Sequence, residues 1–179
     1  MVKIVGIGGS LRTDSYSMQA LHLAAQRTEA IGADTQILDL RKMTLPFCDG
    51  GDDYPDYPDV AVLQDTVKQA DAVILSTPEY HGSVSGVIKN ALDLMGFDHF
   101  SGKVVGAISV LGGQPNSNAL NELRLIMRWV HAWVIPEQIA SGQAWQAFDE
   151  DGTLKDEKLA LRLDQFAASL VANTKKLTN

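Results

Sequence analysis

Apolar residues fall into two rhythms along the chain. Short, nearly unbroken runs, rich in β-branched residues, predict strands at Val2–Ile7, Thr35–Leu40, Ala72–Leu75, Val104–Leu111 and Ile135–Ala140. The third and fourth runs show no polar alternation, as expected of strands covered on both faces. Pro136 interrupts the fifth, which predicts an edge or bulged strand. Between the runs, apolar residues recur every three or four positions. Met18, Leu21, Ala25 and Thr28 share one helical face, and Gly32 follows as the stop. Val60, Leu63, Val67 and Ala70 predict a second helix, and Val87, Ile88, Ala91, Leu92 and Met95 a third that begins near Ser85 or Gly86. Leu120, Leu123, Met127, Val130 and Val134 predict a long helix, with Trp129 and Trp133 as a second stripe on it. Leu159, Leu163, Phe166 and Leu170 predict a C-terminal helix. Arg41–Asp59 and Gly96–Gly102 read as loops, the first of them long and irregular.

Strands alternating with helices, several without a polar face, predict an α/β fold: a parallel sheet with helices on both faces. Five strands at this spacing match a flavodoxin-like, doubly wound, five-stranded parallel sheet of order 2-1-3-4-5. Residues 1–179 form one domain in this reading, without repeats or linkers. In such a sheet ligands bind outside the carboxyl ends of the strands. The loops after the first, third and fourth strands then meet at one crevice.

Composition narrows the classes. The chain has 179 residues, 45% of them hydrophobic, enough for a substantial core. Its formal net charge of −7 argues against nucleic acid or an anionic membrane as partner. The single Cys48 excludes an internal disulfide and a cluster held by about four thiolates. No leader or membrane span is visible, and a reducing cytoplasm is the expected location. His22, His99 and His131 have no ligand spacing, and no metal is implied. Gly82-Ser83-Val84-Ser85-Gly86 imitates a hydrolase elbow but puts Val84 at the nucleophile position. Asp149-Glu150-Asp151-Gly152 imitates a calcium loop, yet Ala147 and Lys158 stand at its end-ligand positions, so it reads as a turn. The acidic rim of Asp49, Asp52, Asp53 and Asp56 reads as solvated loop.

Chemistry concentrates in the crevice loops. The first, Gly8-Gly9-Ser10-Leu11-Arg12-Thr13-Asp14-Ser15-Tyr16-Ser17, lacks the third glycine of a dinucleotide fingerprint, because Leu11 stands there. It also lacks the Gly-Lys-Ser/Thr of a P-loop. What remains is a turn that opens a helix, where free N–H groups, three serine hydroxyls and Arg12 suit a phosphate dianion. Plain serine capping of the helix is the alternative. The second loop, Thr77-Pro78-Glu79-Tyr80-His81-Gly82-Ser83, joins the central strand to its helix through an aromatic and a glycine that permits close approach. The third contains Gly112 and Gly113.

The Gly9-Ser10-Leu11-Arg12-x-x-Ser15 turn and the Pro78–Ser83 loop together resemble the NADPH-dependent FMN reductase family, a flavodoxin-like group that includes quinone and azo-dye reductases. The resemblance runs from Gly9 through the Phe148–Gly152 segment. It implies FMN as cofactor, NADPH or NADH as electron donor, and a small-molecule electron acceptor. By the same resemblance Ser10, Arg12, Ser15, Tyr16 and Ser17 hold the flavin phosphate end. Pro78, Glu79, Tyr80, His81, Gly82 and Ser83 wrap the ring, with Glu79 serving loop geometry. Gly112 and Gly113 approach the ring from its other edge, or form a simple turn. Lys89, Asn90 and Asp93 hold the loop or a subunit contact, and a homodimer or homotetramer is implied. The family often has Asn at the positions of Ser17 and His81. The chemistry is flavin-borne, so no catalytic side chain is required. Arg41 or Lys42 is the candidate for a nucleotide 2′-phosphate. A flavodoxin-type carrier that binds FMN without turning over pyridine nucleotide is the alternative. A binding protein that kept the fold and lost the flavin is another.

Overall fold

The computed structural model describes residues 1–51, 53–149 and 152–178. Asp52 of the acidic rim and Glu150 and Asp151 of the expected turn lie outside the described residues. The elements run β1 (Lys3–Gly8), α1 (Tyr16–Ala30), β2 (Asp34–Asp39), α2 (Pro58–Gln69), β3 (Ala72–Tyr80), β4 (Ser83–Val84) and α3 (Gly86–Asp93). They continue with α4 (Phe97–Phe100), β5 (Val104–Val110), α5 (Asn118–Trp129), β6 (Trp133–Ser141), α6 (Ala144–Ala147) and α7 (Glu157–Thr178). The five long strands are parallel neighbours in the order β2-β1-β3-β5-β6. Counting only these, the order is the expected 2-1-3-4-5; β4 is a two-residue addition that pairs antiparallel with β3.

The sheet separates two cores. On one face α1 and α7 bury Met18, Leu21, Leu163, Phe166 and Leu170 against Ile4, Ile74 and Ile108. On the other, α2, α3 and α5 bury Leu63, Val67, Ile88, Leu92, Leu120 and Leu123 against Val5, Val73, Leu75 and Val105. Each fully buried aliphatic or aromatic side chain contributes about 1.5–3 kcal/mol, so both faces are needed to hold the sheet. The strand residues alternate between the two cores, which is why the central runs show no polar period.

Four features differ from the sequence reading. The central strand does not stop at Leu75 but continues through Pro78 to Tyr80 and turns back as a hairpin into β4. Proline is tolerated there because the strand is near its exit. Gly96–Gly102 holds the single turn α4 rather than only loop. Helix α5 ends at Trp129, so Val130, Trp133 and Val134 are not on it. His131 takes a left-handed φ of 62° and its N–H bonds to the Arg128 carbonyl, which reverses the chain into β6. Trp133 therefore opens a strand, and the two tryptophans share no helical stripe. Last, a one-turn helix, α6, follows β6. The proline-broken strand behaves as expected: β6 is an edge strand and its register against β5 shifts between Val105 and Ala107.

Candidate functional site

The turn between β1 and α1 is built from its hydroxyls. Ser15 caps α1, its Oγ accepting from the Met18 N–H at 3.3 Å. The Ser15 and Ser17 hydroxyls are 2.9 Å apart, and Ser10 Oγ accepts from the Arg12 N–H at 3.3 Å. All three serines are at most 6% exposed. The capping alternative is thus realised at Ser15, without removing the turn's other donors. Arg12 is exposed, and among the described residues no carboxylate pairs with its guanidinium. The positive end of the α1 dipole and this cation face the same space.

Hydroxyls also tie this turn to the central strand. Gly9 N–H donates to Ser76 O at 2.7 Å, and Ser76 Oγ donates to Ser17 O at 2.7 Å. Ser85, the cap of α3, donates from its Oγ to Gly9 O. A Cβ on Gly9 would stand 2.7 Å from Ile88 Cβ and 2.9 Å from Ser85 Oγ, so glycine is required for this approach. From the outside, Arg41 braces the turn. Its guanidinium donates to the Arg12 and Thr13 carbonyls at 3.4 and 3.2 Å while gripping both Asp39 oxygens. The hydrogen bond from Arg41 holds the Asp39 carboxyl below its ordinary range. Arg41 is thereby engaged in structure on the outside of the turn.

The β3–β4 connection is a two-residue turn. His81 at φ 54° and Gly82 at φ 78° both adopt the left-handed region that a type I′ hairpin demands. Ser83 Oγ donates to Glu122 Oε2 at 2.5 Å, fastening the hairpin to α5. Glu79 accepts from Asn116 Nδ2 at 2.8 Å and from the Ala119 N–H at 3.4 Å, so it ties β3 to the loop after β5. Asn90 serves a different loop: it donates to Pro46 O at 2.8 Å and accepts from the Cys48 N–H at 2.9 Å. Lys89 and Asp93 pair with each other at 2.7 Å on the surface of α3.

A cleft of about 250 Å³ lies where these loops meet. It brings together Ser10, Arg12, Ser15, Tyr16 and Ser17 with Pro78, Glu79, Tyr80 and Gly112. His81, Gly82, Ser83 and Gly113 are not in its lining. His81, Gly82 and Ser83 stand on the β3–β4 hairpin and Gly113 on the loop after β5. Asp14, Val110, Leu111, Ala144 and Trp145 line the cleft too, and the sequence reading passed over them. The last two follow β6, and asking what stands after every strand, rather than after three of them, finds them. The cleft combines the hydroxyls and guanidinium of the β1–α1 turn, with Asp14 and Glu79 also in its lining, and the apolar Val110, Leu111 and Ala144, which suits a ligand that carries both a phosphate and a flat ring. Among the described residues, none beyond Gly112's chain neighbours comes within 4 Å of where a Cβ on Gly112 would stand, so open space remains beside it. The donor set fits FMN. Among the described residues there is no group of metal-ligating side chains, and no helix is long and apolar enough to cross a membrane.

The sequence model of a family described as NADPH-dependent FMN reductase matches residues 2–146. The chain is 31% identical to the NADPH-dependent FMN reductase ArsH of Shigella flexneri, over 97% of this chain and 69% of that protein. It is 32% identical to an FMN-dependent NADPH-azoreductase of Staphylococcus aureus (strain USA300), over 92% of this chain and 90% of the relative. Among solved structures it superposes on FerB, a flavoenzyme NAD(P)H:(acceptor) oxidoreductase from Paracoccus denitrificans, with a TM-score of 0.79. That pair shares 26% identity over 98% of each chain. The chain belongs to the NADPH-dependent FMN reductase family, and is a flavin-dependent oxidoreductase of the flavodoxin-like fold.

Proposed function

We propose that the chain oxidises NADPH or NADH in a ping-pong cycle and passes the electrons to small planar oxidants: quinones, free flavin or azo compounds. The observation that carries the reading is the single cleft shared by the Ser10–Ser17 turn, the Pro78–Tyr80 segment and Gly112. Bound FMN supplies hydride acceptance from a nicotinamide and delivery of electrons to a second substrate. The chain's residues hold and orient. Ser10, Ser15 and Ser17, the first N–H groups of α1 and Arg12 bind the phosphate. Pro78, Glu79 and Tyr80 flank the ring, the His81–Ser83 hairpin borders it, and Gly112 and Gly113 leave it room. No side chain has to move a proton in the hydride step. Nicotinamide and acceptor take turns on one open face of the ring, which is why the two half-reactions alternate.

Assembly and location belong to the same proposal. The protein works in the cytoplasm as a homodimer or homotetramer, joined through the apolar surface of α3 and α5.

The test is anaerobic. NADPH or NADH should bleach the flavin band of the loaded protein, a quinone should restore it, and steady-state double-reciprocal lines should be parallel. A flavin band that neither nucleotide bleaches would hand the assignment to an electron carrier.

A further inference from the structure

Trp145 stands out among the residues that the cofactor cleft contains and the three crevice loops do not explain. It sits on α6, directly after β6, and is 59% exposed although its helix neighbours Ala144 and Ala147 are buried. It lines the same cleft as the β1–α1 turn. Of the two tyrosines that also line the cleft, Tyr80 belongs to the Pro78–Ser83 loop and Tyr16 is already stacked on Phe148, with centroids 5.6 Å apart and planes at 27°. Among the described residues no ring contact engages the indole.

The segment that carries it is clasped to the loop after β5. Leu111 N–H donates to Ser141 O at 2.9 Å, Gln143 N–H to Gly113 O at 2.8 Å and Ala144 N–H to Leu111 O at 3.3 Å. A Cβ on Gly142 would fall 2.3 Å from Pro115 N, so the two backbones are in direct contact there. Gln143 holds a left-handed φ of 47°, a conformation that persists in a non-glycine residue only where its surroundings dictate it. This fixed corner places Trp145 in the lining of the cleft, which Val110 and Leu111 also line.

Resting on the FMN reading above, we infer that Trp145 is a further flavin-binding residue, stacking on the bound FMN as a wall supplied by the segment after β6. The occupant is the cofactor rather than the acceptor because the indole shares its cleft with Ser10, Arg12, Ser15 and Ser17, which hold the phosphate.

The experiment compares the affinities of Trp145→Leu and Trp145→Phe for FMN and riboflavin, read by flavin fluorescence. Aromatic contacts of this kind exceed aliphatic ones enough to predict a loss of about threefold to tenfold in Trp145→Leu. Phenylalanine should restore most of it. FMN and riboflavin should weaken equally, whereas Arg12→Ala should weaken FMN alone. Wild-type affinity in Trp145→Leu overturns the inference while leaving the FMN reading intact. So does unchanged flavin affinity with a raised KM for a quinone, which moves the indole to the acceptor. A wild-type protein that binds neither flavin overturns both.

Discussion

At the carboxyl end of the parallel strands, the exits of β1, β3 and β5 are finished with hydroxyls and glycines; Ser10, Ser15 and Ser17 are buried and hydrogen-bonded within the chain, and among the described residues the exposed Arg12 guanidinium pairs with no carboxylate. The amino end is finished with rings. Trp129 and Trp133 are 68% and 61% exposed, Leu125 and Phe97 stand out beside them, and Phe97 meets His131 edge-on at 4.9 Å. A groove of about 570 Å³ runs between α3 and α5 there, lined by Leu92, Met95, Phe97, Leu125 and Trp129. The same sheet thus offers a pre-ordered polar cradle at one end and an unbonded apolar surface at the other. The first is what a small charged ligand needs, since its binding groups must not reorganise. The second suits a protein surface, where exposed aromatic area is covered by a partner.

The largest expected effect breaks the carboxyl end. Arg12→Ala combined with Ser15→Ala removes two charge-assisted contacts, each of about 1.5–3 kcal/mol, so FMN should bind at least tenfold more weakly. Riboflavin, which lacks the phosphate, should change little. Titrations of both flavins decide it, and equal weakening removes the phosphate assignment. Loss of the Ser15 cap also costs about 1 kcal/mol of stability, so a melting curve accompanies the titration.

Next comes the amino end. Trp129→Ala should weaken self-association by about 2 kcal/mol, the usual cost of a buried aromatic anchor, while leaving FMN affinity unchanged. Sedimentation of wild type and variant at micromolar concentration is the measurement. A wild-type monomer ends the assembly proposal, and an oligomer indifferent to Trp129 moves it to another surface.

A smaller change sharpens the cradle itself. His81→Asn keeps the left-handed turn, because asparagine tolerates that region at least as well, and should shift stability by no more than about 0.5 kcal/mol. Bleaching by NADPH should persist and only acceptor preference should move. A variant that no longer bleaches would put His81 in the hydride step.

What the sequence disclosed follows the range of the interactions involved. The β1–α1 turn was readable because its hydroxyls, Arg12 and the Ser15 cap are contiguous from Gly9 to Ser17, whereas its ties to Ser76, Ser85 and Arg41 were not. The strand order followed from apolar runs whose two-sided burial leaves a direct mark. The end of α5 was unreadable: Val130 and Val134 prolong the helical period past Trp129, and only the left-handed His131 breaks it. Neither the Glu79–Asn116 nor the Asn90–Pro46 bond could be read, since each joins residues some forty positions apart. Trp145 was passed over because only the loops after the first, third and fourth strands were weighed, and the clasp that holds it in the cleft joins distant backbones rather than a neighbouring motif.

The smallest expected effect again separates the two ends, through pH. His99 lies in α4 at the amino end, and its Nδ1 accepts from the Gly96 N–H at 3.0 Å, which fixes a neutral tautomer. Burial lowers its pKa from the ordinary value of 6.5, and the nearby Lys68 and Lys103 push the same way against Asp98. The folded chain therefore binds this proton less readily than the unfolded one. Stability contributed by neutral His99 is fully present above pH 6.5 and declines as pH falls from there toward the lowered folded value. The ring is only half buried, so the decline should be shallow. Melting temperatures of wild type and His99→Gln across this range test it, because glutamine keeps an acceptor for Gly96 and does not titrate. The wild-type curve should fall away from the variant's on the acid side, while FMN affinity follows the same course in both proteins. Parallel melting curves would show that the histidine contributes nothing to acid sensitivity, and a parting of the FMN affinities would show that the two ends of the sheet are coupled.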